Sequence, residues 1–307
     1  MGVLQQQVKG NRTLNGRRSL NGEKIFPYLF ILPVYIMLFL FVLKPFLFAI
    51  FKSFYEYDGI GTNNFIGFQN YVRLFTNDEK FWISLRNLLV FFAGLFVAFP
   101  FSVIAAELIF NLKSERLQGA FRSLIIIPIV VPSVVIYLVW KFIYYPGIGA
   151  FANICEMLNV ECPNFLGNVH LVKPSLIFMG FPWISGLNFL MSYAALQGID
   201  TSLFEAAKID GCKTLRRVFT IDIPLIIPQL KALLVLGIIG LMQGYEKMLI
   251  VTEGGPQNAS LVPGLHMYNV AFKNSPSMFG YACAMAVVLF IITFLLSTLT
   301  LKAKKGE

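Results

Sequence analysis

Long apolar blocks separated by short polar connections organise this chain. The blocks run over about 27–51, 82–110, 121–144, 174–197, 225–250 and 278–301, and each supplies the roughly 20 residues that a helix needs to cross a hydrocarbon layer about 30 Å thick. Only helices and closed barrels satisfy their backbone polar groups in lipid. The pattern therefore predicts an all-α integral membrane fold of six transmembrane helices, with both termini on one side. A polar stretch of 26 residues precedes the first block, and residues 27–307 read as one transmembrane domain. The first block is too long for a signal-peptide core and lacks a small-residue cleavage site, which predicts an uncleaved first span.

Composition agrees with this picture: 57% of residues are hydrophobic, 13% are charged and 31 are Phe, while soluble domains carry about a quarter charged residues. Charge adds the orientation. Fifteen Lys and Arg fall in the N-terminal tail, the second–third and fourth–fifth connections and the C-terminal tail, against six in the three opposite connections. Lys and Arg remain on the cytoplasmic side, so the termini and the fourth–fifth connection are expected there. The net charge of +9 follows from this topology, and no nucleic acid partner is expected. Cys155 and Cys162 share a connection on the opposite side, where the spacing leaves a disulfide and two free thiols equally open.

The chain lacks the residues of the common enzymes. There is no GxxxxGK[ST] phosphate loop, no HExxH and no GxSxG, and the two histidines, His170 and His266, fall in connections where both read as surface loop residues. No metal site and no cofactor of the chain's own are expected. Lys44, Arg86, Glu107, Lys231, Glu246 and Lys247 lie within a few turns of span ends. A stand-alone transporter coupled to protons through Glu246 or Glu107 is one reading of these acids. An inert membrane scaffold is another.

The fourth–fifth connection, about 198–224, is the most patterned polar stretch. Ser202-x-x-Glu205 has the spacing of a capping box and opens a short helix, "SLFEAAKID", stopped by Gly211. A second short amphipathic helix is predicted in "CKTLRRVFTIDIP", with Leu215, Val218 and Phe219 on one face and Lys213, Arg216 and Arg217 on another, ending before Pro224. Ala206 and Ala207 admit a close partner backbone, and Glu205 offers a charge to a partner's arginine.

The residues "EAAKIDGCKTLRRVFTIDIPLIIP" resemble the EAA loop of binding-protein-dependent ABC importer permeases, through Glu205, Ala206, Ala207, Asp210, Gly211, Phe219, Ile221, Pro224 and Pro228. "VTEGGPQNASLVPGLHMYNVAF", "FGYACAMAVVLF", "IIIPIVVPSVVIYLVWKFIY" and "GIGAFANI" are similar to segments of the first-type membrane subunit in the carbohydrate-uptake branch, the maltose and multiple-sugar type. Cys212, Leu215 and Asp222 depart from the family's usual alanine, aromatic residue and threonine.

The resemblance implies the type I importer fold and the import of a sugar, an oligosaccharide by preference, across the bacterial cytoplasmic membrane. It also implies a second homologous permease, an ATPase dimer holding MgATP, and an extracellular or periplasmic solute-binding protein. Glu205, Ala206, Ala207, Asp210 and Gly211 are then the ATPase-coupling residues. Register carried over from the maltose-type permease puts solute positions at Gly180, Trp183, Ile184, Leu187, Gly237, Gly240, Leu241, Gly244 and Glu246. Trp183, Gln243, Gly244, Tyr245 and Glu246 are the chosen pocket residues, offering stacking and hydrogen bonds to a sugar. Gly237, Gly240 and Gly244 also form a small-residue packing stripe. Asn188 and Tyr193 read first as hydrogen bonders between helices. Glycerol phosphate is the alternative solute within the family, though it would want Arg or Lys where the register puts an acid. The segment "TEGGPQNAS" would face the binding protein.

Overall fold

The computed structural model describes residues 20–302, with side chains from residue 27. Residues 1–19 of the predicted tail and residues 303–307 lie outside the described residues. Two compact units are present, Met1–Phe51 and Lys52–Glu307. The first contains α1 (Leu20–Leu38), a π-helical turn (Phe39–Leu43) and α2 (Lys44–Lys52), whose last residue opens the second unit. Helix thus starts inside the predicted tail. The apolar run Pro27–Lys52 has 26 residues, about 39 Å at 1.5 Å per residue.

The second unit begins with an antiparallel hairpin, β1 (Tyr55–Tyr57) and β2 (Asn63–Phe65), with Tyr55 opposite Phe65. Asp58 closes its turn by accepting the N–H groups of Ile60, Gly61 and Thr62. These donors, Ile60 and Gly61 foremost, hold its carboxyl at about 2. Helix α3 (Gln69–Thr76) leads into α4 (Glu79–Phe110), the long central helix. Its first turn is capped by Asp78, which accepts from the Phe81 N–H at 2.9 Å.

Helices α5 (Glu115–Ile126) and α6 (Ser133–Ile143) correspond to the third predicted span, but a 3-10 turn at Ile127–Val130 separates them and they bend by 92°. Pro128 and Pro132 account for the break. Each lacks an N–H, and proline drives the preceding residue toward extended backbone, as found at Val131, ψ 124°. The fourth predicted span is also divided. After α7 (Ala150–Met157) come α8 (Val172–Phe178) and α9 (Gly186–Gln197), parted by a segment that holds Pro182 and Trp183, the latter at φ +59°. Neither half is long enough to cross a membrane alone.

Beyond α10 (Thr201–Ile209), α11 (Thr214–Arg217) runs through a π-helical turn (Val218–Asp222) into α12 (Ile223–Gln243). Thr214–Gln243 is therefore one run of 30 residues, and the predicted separate amphipathic helix forms its first turns. The wider π-turn accommodates the ring and missing N–H of Pro224. Helix α13 (Glu246–Val251), α14 (Pro263–Tyr268) and α15 (Phe279–Lys302) complete the fold. Four runs are long and apolar enough to span singly, Pro27–Lys52, Glu79–Phe110, Thr214–Gln243 and Phe279–Lys302, and the bent α5–α6 pair makes a fifth.

Helix α4 takes part in all three buried apolar clusters of the second unit. Leu88 packs with Met242 and Met285, Phe91 with Leu176 and Leu265, and Ala106 with Phe189 and Ile226. At Gly94 the chains approach so closely that an added Cβ would meet Ile177 at 2.9 Å.

Candidate functional site

Two features converge on function, the α10 hairpin at one end of the bundle and a cavity near the middle of α4. The hairpin starts at Asp200, whose carboxylate accepts the Ser202 N–H at 2.9 Å and is held below its usual range chiefly by that donor. Asp200, not Ser202, is the N-cap. The predicted Ser202–Glu205 capping box is therefore absent, because the helix begins at Thr201, two residues earlier than a box with Ser202 as its cap requires. Glu205 is exposed and has no hydrogen bond or ion pair within the described chain.

Gly211 stops the helix as predicted. Its φ of +69° is accessible to glycine without a Cβ clash, and the N–H groups of Asp210, Gly211 and Cys212 satisfy the carbonyls of Ala206, Lys208 and Ala207. Ala206, Asp210 and Gly211 are exposed, while Ala207 is buried and anchors the helix. The same hairpin carries three outward apolar side chains, Ile209 at 86%, Leu215 at 73% and Phe219 at 69% exposure. Leu215 and Phe219 are exposed together with Lys213 and Arg216, whereas Val218 and Arg217 are half-buried, so the predicted split into an apolar face and a basic face does not hold.

The cavity, about 420 Å³, is lined by Leu95, Tyr137, Gly237, Gly240, Leu241, Gln243, Gly244, Tyr245, Glu246, Lys247 and Met248. Four of the five chosen pocket residues thus meet in one place. A break in the helical ladder makes the space: α12 ends at Gln243, Gly244 is extended, and α13 restarts at Glu246. Irregular backbone at membrane depth is tolerated where it lines a cavity. The three glycines differ in role. A Cβ at Gly237 would meet Leu95 at 3.2 Å and one at Gly244 would meet the Gly240 carbonyl at 2.8 Å, whereas Gly240 faces open space. Tyr245 stacks on Tyr268 at 5.2 Å, Ser133 donates to Glu246 at 3.4 Å, and the Lys247 ammonium donates to the Leu176 carbonyl at 3.0 Å.

Trp183 is not among the lining residues. Its ring packs against Phe101 at 5.1 Å and Phe181 at 5.3 Å, and its indole N–H donates to the Ile177 carbonyl at 2.9 Å. Gly180, Ile184 and Leu187 are likewise outside that lining. Tyr193 bridges helices as expected, donating to Gln118 on α5 at 3.2 Å.

The sequence reading missed two polar anchors. His266 is buried rather than a surface loop residue: its Nε2 lies 2.8 Å from Asp78, which also accepts from the Tyr281 hydroxyl at 2.6 Å. Burial acts most strongly on Asp78 and upward, yet the Tyr281, His266 and Phe81 hydrogen bonds outweigh it and lower the carboxyl below its usual value. Asn87 clasps the end of the "TEGGPQNAS" segment by donating to the carbonyls of Asn258 and of Leu261, which follows the segment, at 2.8 and 2.9 Å, and is itself held by Lys173 at 3.0 Å. In that segment only Glu253 and Gln257 are exposed. Cys155 and Cys162 are free thiols. Among the described residues no His, Cys, Asp and Glu cluster suits a metal ion.

Residues 98–304 match the family described as binding-protein-dependent transport system inner membrane component. The chain is 31% identical to the probable ABC transporter permease protein YurN of Bacillus subtilis, over 91% of this chain and 96% of that protein. It is also 31% identical to the lactose transport system permease protein LacF of Rhizobium radiobacter, over 91% and 93%. Its fold matches a chain in the crystal structure of a bacterial alginate ABC transporter in complex with an alginate-bound periplasmic protein, with a TM-score of 0.79 at 20% identity over 92% of this chain and 96% of that one.

Proposed function

The chain belongs to the family of binding-protein-dependent transport system inner membrane components, and from that premise we propose that it is the membrane subunit through which an ABC importer passes a sugar into the bacterial cytoplasm. It is a multi-pass translocation subunit and not an enzyme; MgATP is hydrolysed on partner subunits. Six spans, with the bent α5–α6 pair and the divided α8–α9 pair each crossing once, leave both termini cytoplasmic, as the distribution of Lys and Arg requires.

One observation carries the coupling role. The hairpin, in the connection where that charge gathers, presents an exposed carboxylate at Glu205 and, along the same hairpin, the exposed apolar side chains of Ile209, Leu215 and Phe219. Apolar side chains of this size on a water-facing surface mark a partner site, and an acid among them suits a partner arginine. Ala206, Asp210 and Gly211 share this surface and Ala207 anchors it. The partner is an ATPase subunit of a dimer, and closure of that dimer rocks the spans between inward-open and outward-open states. A second homologous permease completes the pathway, and a solute-binding protein delivers from the extracytoplasmic side.

The solute crosses at the α12–α13 break. Tyr137, Gln243, Tyr245 and Glu246 offer hydroxyl, amide and carboxylate groups beside a glycine floor at Gly240 and Gly244, a mixture suited to hydroxyl-rich, uncharged rings. The lactose permease among the relatives supports a sugar. Glycerol phosphate fits less well, since Glu246 opposes phosphate and the Lys247 ammonium is engaged by Leu176. Purification of the tagged chain from its native membrane in mild detergent tests the assembly. A second permease and an ATPase are expected to accompany it; recovery of the folded chain alone would overturn the proposal and revive proton-driven transport.

A further inference from the structure

Arg217 is the one arginine of the hairpin that turns inward. Arg216 is exposed, whereas the Arg217 side chain is only 18% exposed. Its guanidinium lies over the Phe204 ring at 4.8 Å, its Nε donates to Asp222 at 3.1 Å, and a terminal nitrogen donates to Asn111 Oδ1. These three partners sit on three elements. Phe204 is in α10, next to Glu205; Asp222 closes the turn that enters α12; Asn111 caps the end of α4.

The turn geometry explains the pairing. On a regular α-helix residues 217 and 222 would point about 140° apart at 3.6 residues per turn, but the π-turn Val218–Asp222 bonds i to i+5 and stacks one over the other. The partners are themselves constrained. Asn111 donates through its amide to the Glu107 backbone carbonyl at 2.8 Å and carboxylate at 3.2 Å, which aims its oxygen at Arg217. Asp222 is fully buried, and its second oxygen has no hydrogen-bond partner. Without Arg217 it would be an uncompensated buried charge, so the two move together. Phe204 also packs on Phe110, at the end of α4, with centroids 5.7 Å apart.

We propose that Arg217 is the positioning residue that transmits displacement of the coupling helix α10 into α4 and α12. This rests on the coupling role of the hairpin. A guanidinium fits the task because its flat face and its edge act at once, the face on Phe204 and the edge on Asp222 and Asn111; a lysine ammonium is a single point charge. Moving α10 therefore displaces the inner ends of both long helices, and Leu95 and Gly240, further along them, line the solute cavity.

The test uses the complete complex, with ATPase subunits and binding protein, in proteoliposomes. Sugar transported per ATP hydrolysed is measured alongside copurified ATPase and thermal stability. Arg217→Lys is expected to keep the complex assembled and basal hydrolysis near wild type while transport per ATP falls roughly tenfold, the scale of one lost charge-assisted hydrogen bond. An unchanged ratio overturns the proposal. So does a parallel loss of hydrolysis and transport, which a purely structural residue would give. Should that variant fail to assemble, Phe204→Leu removes the ring and leaves the ion pair; the ratio should again fall, and a wild-type ratio refutes the proposal. Glu205→Ala separates the two levels. If it lowers the ratio while the Arg217 and Phe204 variants do not, only the positioning role is lost; if none of the three changes it, the hairpin's coupling role falls as well.

Discussion

Gly240→Trp should close the solute path without unfolding the protein. A Cβ at this position meets nothing within 4 Å, so the indole can enter the cavity of about 420 Å³ from its floor. An indole needs roughly 170 Å³, judged from the cavity of about 150 Å³ that benzene fills. That leaves about 250 Å³ of the original space, below the roughly 300 Å³ at which ligand pockets begin. Uptake of the native sugar should fall at least about tenfold, the consequence of losing about 1.4 kcal/mol of solute binding, while the ATPase still copurifies and the melting temperature stays near wild type. Gly237→Leu is the control. Its Cβ meets Leu95 at 3.2 Å, so it should strain the α4–α12 contact and lower stability. The assay is radiolabelled sugar uptake in cells with thermal unfolding of the detergent-solubilised complex. Normal uptake by a stable Gly240→Trp protein would show that solute does not pass this cavity.

Three further outcomes are expected. Glu205→Ala, which removes a carboxylate without a partner inside the chain, should leave stability within about 0.5 kcal/mol and lower transport per ATP; full transport would refute its docking role. Asp78→Asn keeps the helix cap but weakens the hydrogen bonds from His266 and Tyr281, at about 2 kcal/mol near neutral pH. Because the folded carboxyl titrates below its unfolded value, that contribution is fully present above about pH 4 and is lost as pH falls through the lower folded value. The stability gap between variant and wild type should therefore narrow in acid, and a gap that widened would contradict the assignment. Trp183→Ala should lower stability by about 2–3 kcal/mol through lost ring packing with the KM for sugar unchanged; a raised KM at normal stability would return Trp183 to the solute path.

The hairpin was legible in the sequence because its determinants are local. Gly211 stops a helix wherever it follows one, and a polar, basic connection between apolar blocks identifies its own solvent. Gln243, Gly244, Tyr245 and Glu246 could be gathered in advance for a similar reason, since consecutive residues at one chain position share one neighbourhood. Trp183 could not be placed that way. It lies 60 positions before Gln243, and its ring is directed by packing against Phe101 on α4 and Phe181 and by the hydrogen bond from its indole N–H to the Ile177 carbonyl. Ser202 and Asp200 both suit an N-cap, and the exact start of the helix decided between them.

By itself the sequence determined that this chain dissolves in lipid, where its apolar blocks fall, which connections are basic, and where the α10 hairpin turns. These are partition preferences and backbone constraints that each segment carries alone. Tertiary structure decided where the third and fourth blocks break, which glycine opens onto the cavity, and which buried charges pair. Asp78 and His266 are 188 positions apart, and Asn111 and Arg217 are 106 apart. No local pattern records such pairings, because they follow from which helix faces meet. Once those faces meet, a buried polar group without a partner is costly enough to select them.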